Sequence, residues 1–358
     1  MPNAASKILL MVILLLTGAH AHAVVTIEID QGVKRGIPIA IVPFGISEDT
    51  DQELELDEVI RSDLTRTGRF DVLDVDRFLQ APTKVEDVDF ADWKLINVDY
   101  LVIGSVERVD ESNFRIETRL FNVFNEKQIF GSQFIATTSS DRKVMHRIAN
   151  EVYERVTGTK SSFHTRIAYT VASVSSENKT EHKLVVADYD GQNATVILKT
   201  DSPILSPSWS PDSEKITYSI LGRDQSKIWV QEISSGERQI VAEFEGQNRS
   251  PSWSPDGTRL AFAISRDGNS DIFVLTLNTG EIIQLTKDRQ IDTEPAWSPD
   301  ADYIVFTSNR GKGAQIYRVR AKENQQIERL TIYGKSNSRA SYSPSTDPPN
   351  TPLSLIHI

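Results

Sequence analysis

From residue 206 onward the apolar positions fall on a fixed grid. Trp209, Trp253 and Trp297 stand 44 residues apart, and Tyr342 follows at 45. Each lies in the same short phrase: SPSWSPD at 206–212 and 250–256, EPAWSPD at 294–300, RASYSPS at 339–345. Counted from Pro211, apolar side chains stand at Ile216 and Tyr218, then at Ile228 and Trp229. The same offsets from Pro255 give Leu260, Phe262, Ile272 and Phe273, and from Pro299 they give Ile304, Phe306, Ile316 and Tyr317. Apolar residues two apart are strand periodicity. Gly236 and Gly280 mark turns in SSGE and NTGE, and a last apolar run follows each, RQIV from 238 and IIQLT from 282. Four short strands in 44 residues is the period of a β-propeller blade. The Ser-Pro-Asp phrase links the innermost strand to the next, because Pro presets φ and Asp bonds its own backbone. The aromatic residue before it is expected between neighbouring blades.

The grid reaches back once more, through RIAYTVA (166–172), KLVVADYDGQ (183–192) and ATVILKT (194–200), a unit without a first strand of its own. Forward of Pro344 it requires apolar residues at 349 and 351, where the chain has Pro349 and Thr351. The expectation is an incomplete ring: one blade short of its first strand, three full blades, and the start of another. A truncation or frame disruption near Ser345 would account for this, and a Pro-rich tail is the alternative.

Residues 24–160 have a different texture. VVTIEID alternates as a strand, and GIPIAIVPF (36–44) reads as a buried strand. In LDEVIRSDLTRTG, Leu56, Val59, Ile60 and Leu64 share a helical face, and Gly68 suits the C-terminal cap. RFDVLD resumes strand, and 98–109, 114–124 and 127–137 form a three-stranded meander. A helix follows, with Ser139 or Ser140 as its cap, Val144, Ile148, Val152 and Val156 on one stripe, and Gly158 at its end. This is a mixed α/β domain, joined to the repeats by TKSSFHT.

The first 23 residues read as an export signal. Lys7 supplies the positive charge, ILLMVILLL (8–16) is a nine-residue apolar stretch, and AHA (21–23) fits cleavage after Ala23. Nine apolar residues fall well short of the roughly 20 needed to span a bilayer. The net charge of -11 argues against nucleic acid or anionic lipid as main partner. With no cysteine, disulfides, zinc–thiolate sites and cysteine nucleophiles are excluded.

A search for chemistry returns little. The nearest approach to a nucleophile elbow, GKSNS at 334–338, lacks the closing glycine. No phosphate-binding or dinucleotide fingerprint appears. His146, His164, His182 and His357 are not at metal-ligand spacing, and Asp212, Asp256 and Asp300 read as turn formers. No catalytic residue, metal or cofactor is expected, and the propeller reads as a binding platform.

The order of these pieces resembles the TolB family, the periplasmic component of the Tol-Pal system of Gram-negative bacteria. The resemblance rests on IEIDQGVKRGIPIAIVPF (27–44), VYERVTGTKSSFHTRIAY (152–169), DYDGQN (188–193) and the WSPD blades. It implies a signal peptide (1–23), an N-terminal partner-binding strand (24–34), an α/β domain (35–160), a partial propeller (161–345) and a tail outside the family pattern (346–358). Family propellers have six four-stranded blades closed by a C-terminal strand. The implied function is a non-enzymatic periplasmic scaffold supporting outer-membrane integrity and constriction at division. It implies a monomer that binds the lipoprotein Pal through the propeller, with other outer-membrane or peptidoglycan-associated proteins as further candidates. For Pal, DTEPAW (292–297) carries Thr293 and Glu294, and QNRSPSW (247–253) carries Gln247, Asn248 and Ser250. Gln247 and Ser250 replace a His and an Ala common in the family loop. For TolA, the strand Val24, Val25, Thr26, Ile27, Glu28, Ile29 and Asp30 would add to a partner sheet or dock back on its own protein. The competing classes are the propeller of a secreted prolyl-oligopeptidase-like serine peptidase and a glycan-binding or glycan-cleaving propeller.

Overall fold

The computed structural model describes residues 36–47, 56–137, 140–311 and 313–342, with the backbone of 354–356. The expected export signal and partner-binding strand lie outside the described residues. The chain divides into two compact units between Met145 and His146.

The first unit is built on one mixed sheet. Its elements are β1 (Ile37–Ile41), β2 (Gly45–Ile46), α1 (Leu56–Arg66), β3 (Phe70–Val72), α2 (Phe90–Leu95), β4 (Tyr100–Arg108), β5 (Asn113–Asn122) and β6 (Lys127–Thr137). The strand order is β3-β1-β4-β5-β6, with β2 on β4. β1 runs parallel to β3 and β4, and β4, β5 and β6 form the expected antiparallel meander. Leu56, Val59, Ile60 and Leu64 bury the inner face of α1, and Gly68 ends it at φ 64°. Arg61 ties that helix to the strands, donating to Ile41 O and pairing with Asp57 at 3.1 Å. The short helix α2 is not visible as a period in the sequence. Asp89 caps it by accepting from Ala91 N at 2.9 Å, and Trp93 anchors it in the core.

Helix α3 (Asp141–Thr157) straddles the division. Val144, Ile148 and Val152 are buried on one stripe, joined by Met145 and Ala149, and Gly158 follows at φ 71°. Of the two expected caps, Ser139 lies outside the described residues. The Ser140 hydroxyl turns back to accept from Thr137 N at 2.9 Å, so it holds the strand–helix corner.

The second unit consists of blades. β7 (Arg166–Val174), β8 (Thr180–Asp188) and β9 (Thr195–Thr200) form a three-stranded antiparallel sheet. Three four-stranded blades follow. They are β10 (Ile204–Trp209), β11 (Lys215–Leu221), β12 (Ser226–Glu232) and β13 (Arg238–Ala242), then β14 (Gln247–Trp253), β15 (Arg259–Arg266), β16 (Asn269–Thr276) and β17 (Ile282–Gln284), then β18 (Asp292–Trp297), β19 (Tyr303–Gly311), β20 (Gly313–Arg320) and β21 (Glu328–Arg329). β22 (Ser338–Ser341) pairs antiparallel with β23 (Ser354–Ile356). That last pairing was not legible in the period, because it lies beyond the prolines rather than at 349 and 351.

The repeated letters have repeated jobs. In each Ser-Pro-Asp turn the serine hydroxyl accepts a backbone N–H five residues on: Lys215, Arg259 and Tyr303 donate to Ser210, Ser254 and Ser298 at 2.9 Å. The same serine donates to the aspartate two residues on, whose Oδ1 accepts from Glu214, Thr258 or Asp302 N at 3.0 Å. The aspartates are turn formers, as their position suggests. Tyr218, Phe262 and Phe306 occupy one grid position and are 0%, 0% and 1% exposed. Burying each contributes about 1.5–3 kcal/mol. Tryptophan joins consecutive blades, since Trp297 Nε1 donates to Ser252 O at 3.1 Å and the Arg259 guanidinium stacks 4.6 Å over its ring. Arg166 covers Trp209 in the same way at 4.7 Å.

Candidate partner-binding face

Every inner strand carries a bulge at its entrance. The register shifts between Leu205 and Ser208 in β10, Arg249 and Ser252 in β14, Thr293 and Ala296 in β18, and Ser338 and Ser341 in β22. The bulge residues Ser206, Ser250, Glu294 and Arg339 have φ of 51°, 52°, 55° and 55°. Left-handed backbone is uncommon for a residue with a side chain, and a bulge is where a sheet accommodates it. Pro207, Pro251 and Pro295 come next, at a point where the ladder is interrupted and the missing N–H costs least. A bulge re-aims a side chain. Repeating it places one residue per blade at the same end of adjacent inner strands.

Two proposed contact residues, Ser250 and Glu294, are these bulge residues. Glu294 is held from the next strand: its Oε1 accepts Arg339 Nε at 2.8 Å, and its Oε2 accepts the Thr307 hydroxyl at 2.9 Å and Arg339 N at 3.2 Å. Arg339 is 68% exposed, so this pair orients Glu294 and adds about 0–1 kcal/mol to stability. Thr293 is half-buried beside it, opposite Thr307. Gln247 is half-buried at the start of β14, in register with Ser226 and Ser265.

Asn248 behaves differently from its neighbours. It is 0% exposed, and its Nδ2 donates to Ser226 O at 2.8 Å, Phe244 O at 2.7 Å and Gly246 O at 3.3 Å. Its Oδ1 accepts Phe244 N at 3.3 Å, and its backbone carbonyl accepts the Ser226 hydroxyl at 2.8 Å. As a surface contact this residue is corrected: it fastens its own loop, because a side chain with that many internal bonds has nothing to present. The grid repeats the job. Asn337 Nδ2 donates to Tyr333 O at 2.8 Å, and Asp292 O accepts the Ser270 hydroxyl at 2.9 Å.

Behind Thr293 and Glu294 lies a charged core. Asp292 is fully buried and accepts Arg310 Nη2 at 2.6 Å, and Arg310 also pairs with Asp288 at 3.2 Å. Burial pushes the Asp292 carboxyl above the ordinary aspartate range, against the pull of hydrogen bonds from Ser308 and Arg310. Burial raises Asp271 as well, with the Asp292 charge adding to it. Arg310 and Arg339 were missed in the sequence. Arg339 stood on the grid, one blade past Glu294.

The family model described as the TolB beta propeller domain matches residues 153–348, and that of the TolB amino-terminal domain matches residues 25–129. The chain belongs to the TolB family. The Tol-Pal system protein TolB of Nitrosococcus oceani is 39% identical over 238 residues, 66% of this chain and 55% of that protein. TolB of Xylella fastidiosa is 38% identical over 222 residues, 62% of this chain and 50% of that protein. The chain thus spans about half the length of these TolB relatives. A crystal structure of TolB from Acinetobacter baumannii superposes with a TM-score of 0.77 at 32% identity, covering 86% of this chain and 75% of that one. The α/β domain followed by a propeller, expected from the residues, is therefore the TolB architecture. Among the described residues, no helix is long and apolar enough to cross a membrane.

Proposed function

We propose that this protein is a periplasmic scaffold of the Tol-Pal system that binds Pal at the entrance of its inner propeller strands. The observation carrying this reading is the repeated bulge. It sets Ser250 and Glu294 on neighbouring strands, with Thr293 and Gln247 beside them, and Arg339 fixes the carboxylate from behind. Such a row offers a partner several preorganised polar groups on a rigid base, the condition for affinity without a large ordering cost. Asn248 and Asp292 support the row from below. No catalytic role is assigned to it: its one carboxylate, Glu294, is engaged by Thr307 and Arg339.

The strand 24–33 is proposed as the TolA contact, adding to a partner sheet edge through its backbone while its alternating side chains give register. Calorimetric titration tests both contacts. Against a soluble Pal domain, Glu294→Ala should weaken binding at least tenfold while Leu79→Ala, on the exposed surface of the first unit, leaves it unchanged. Deleting residues 24–33 should abolish TolA binding and spare Pal binding. Wild-type Pal affinity in Glu294→Ala refutes the face, and retained TolA affinity after the deletion refutes the strand.

A further inference from the structure

His146 was set aside in the sequence for want of metal-ligand spacing, and it stands 42 and 44 residues before Asp188 and Asp190. The fold brings them together. One ligand atom from each, an imidazole nitrogen and two carboxylate oxygens, lies within 4.8 Å of the others. His146 comes from α3 and is 1% exposed, whereas both aspartates are only half-buried. Asp188 ends β8, and Asp190 follows it in a tight turn closed by Gly191 N donating to Asp188 O at 2.9 Å, with Gly191 at φ 86°. That turn sends the two carboxylates to one side.

We propose that these three residues bind a divalent transition-metal cation, with Zn²⁺ as the cation the donors suit best. One neutral nitrogen and two anionic oxygens match the borderline character of zinc, which takes three protein ligands and leaves a position for water. Zinc–ligand bonds of about 2.0–2.2 Å place ligand atoms roughly 3–4 Å apart. Closure from the present spacing therefore needs only small rotations of the two half-buried carboxylates. Calcium is disfavoured, since it prefers six to eight oxygens and gains little from a buried imidazole.

The surroundings are those of a supported site. Asn193 Nδ2 donates to Asp188 Oδ2 at 2.7 Å, and Gln192 N donates to Asp190 Oδ1 at 3.0 Å, so each carboxylate is oriented by its own turn. The Tyr189 ring stands edge-on to the His146 imidazole at 5.4 Å and 79°, which fixes the plane of the ring. Loss of a group that orients a ligand typically lowers metal affinity by roughly 10–100-fold. A bound cation would pin α3 to the β8–β9 turn. It would stabilise the folded chain by mass action and leave the partner-binding face untouched.

The test uses the full chain, freed of metal with a chelator and titrated with ZnCl2 in a calorimeter at neutral pH. One site is expected, weakened at least tenfold in Asp190→Asn, whose half-buried position permits folding. Saturating Zn²⁺ should raise the melting temperature of wild type and leave that of Asp190→Asn unchanged. Co²⁺ should give a visible absorption band in wild type that is absent from Asp190→Asn. Equal Zn²⁺ affinity in both proteins overturns the site. So does the absence of a saturable site, or Ca²⁺ binding as tightly as Zn²⁺.

Discussion

Replacing Asn248 by alanine removes a side chain that never reaches the surface, and the cost can be worked from its bonds. Two are short, to Phe244 O at 2.7 Å and Ser226 O at 2.8 Å, and two are long, with Gly246 O and Phe244 N at 3.3 Å. A typical hydrogen bond contributes about 0.5–1.5 kcal/mol net, and a buried group left without its partner costs about 1–3 kcal/mol. Counting the short pair fully and the long pair as minor, Asn248→Ala should destabilise the second unit by about 2–4 kcal/mol. At about 2–4 °C per kcal/mol for a domain of this size, the melting temperature falls by about 4–16 °C. The assay is urea unfolding followed by circular dichroism, where the midpoint should drop with the slope unchanged. Gln247→Ala, one residue away and half-buried, should change stability by no more than about 0.5 kcal/mol. The reasoning is refuted if Asn248→Ala is as stable as wild type. It is refuted equally if the folded variant loses Pal affinity while keeping wild-type stability, because that pattern belongs to a surface contact.

Other outcomes follow from the same geometry. Ser254→Ala removes the hydroxyl that accepts Arg259 N at 2.9 Å and donates to Asp256, so it should cost about 1–3 kcal/mol in denaturant unfolding; wild-type stability would mean the turn is held by its proline alone. Hydrogen bonds from Ser254 in one turn and Ser210 in another hold Asp256 and Asp212 below the ordinary carboxylate range. A depressed folded-state pKa gives stability that is present above the unfolded value of about 3.9 and lost as pH falls through the folded value. The urea midpoint should therefore drop below about pH 4, and drop less in Asp256→Asn; parallel pH profiles would contradict the assignment. Gly246 has φ 94°, and a Cβ there would meet Ser265 O at 2.4 Å, so Gly246→Ala should lose about 1–3 kcal/mol and disturb the entrance of β14, read by the melting temperature and Pal affinity together.

The blades were legible because each one solves the same problem with the same letters. A grid position that is buried once, such as Tyr218, is buried again at Phe262 and Phe306, and serine and aspartate recur because the turn needs an acceptor and a donor in fixed places. Helix α1 was legible from its stripe, and Gly68 from its place after it. What the period could not show is whatever depends on a single strand or on distant chain. Helix α2 is too short to display a period and is fixed by Asp89 and Trp93. Asn248 reads as a polar loop residue until the carbonyls around it are seen. Glu294 was chosen from family resemblance, whereas its orientation depends on Arg339, a blade away in sequence and adjacent in space. His146 and Asp188 meet only because α3 and the end of β8 are brought side by side. Spacing rules for metal ligands read local chain and could not find that pair.

Hydrogen–deuterium exchange of the full chain, with and without a soluble Pal domain, tests the binding face most directly. The account predicts new protection in peptides covering 244–253, 288–297 and 333–341, the entrances of three consecutive inner strands. The outer strands β13 and β17 should exchange as before. Protection confined to those outer strands, or to the sheet of the first unit, would contradict it.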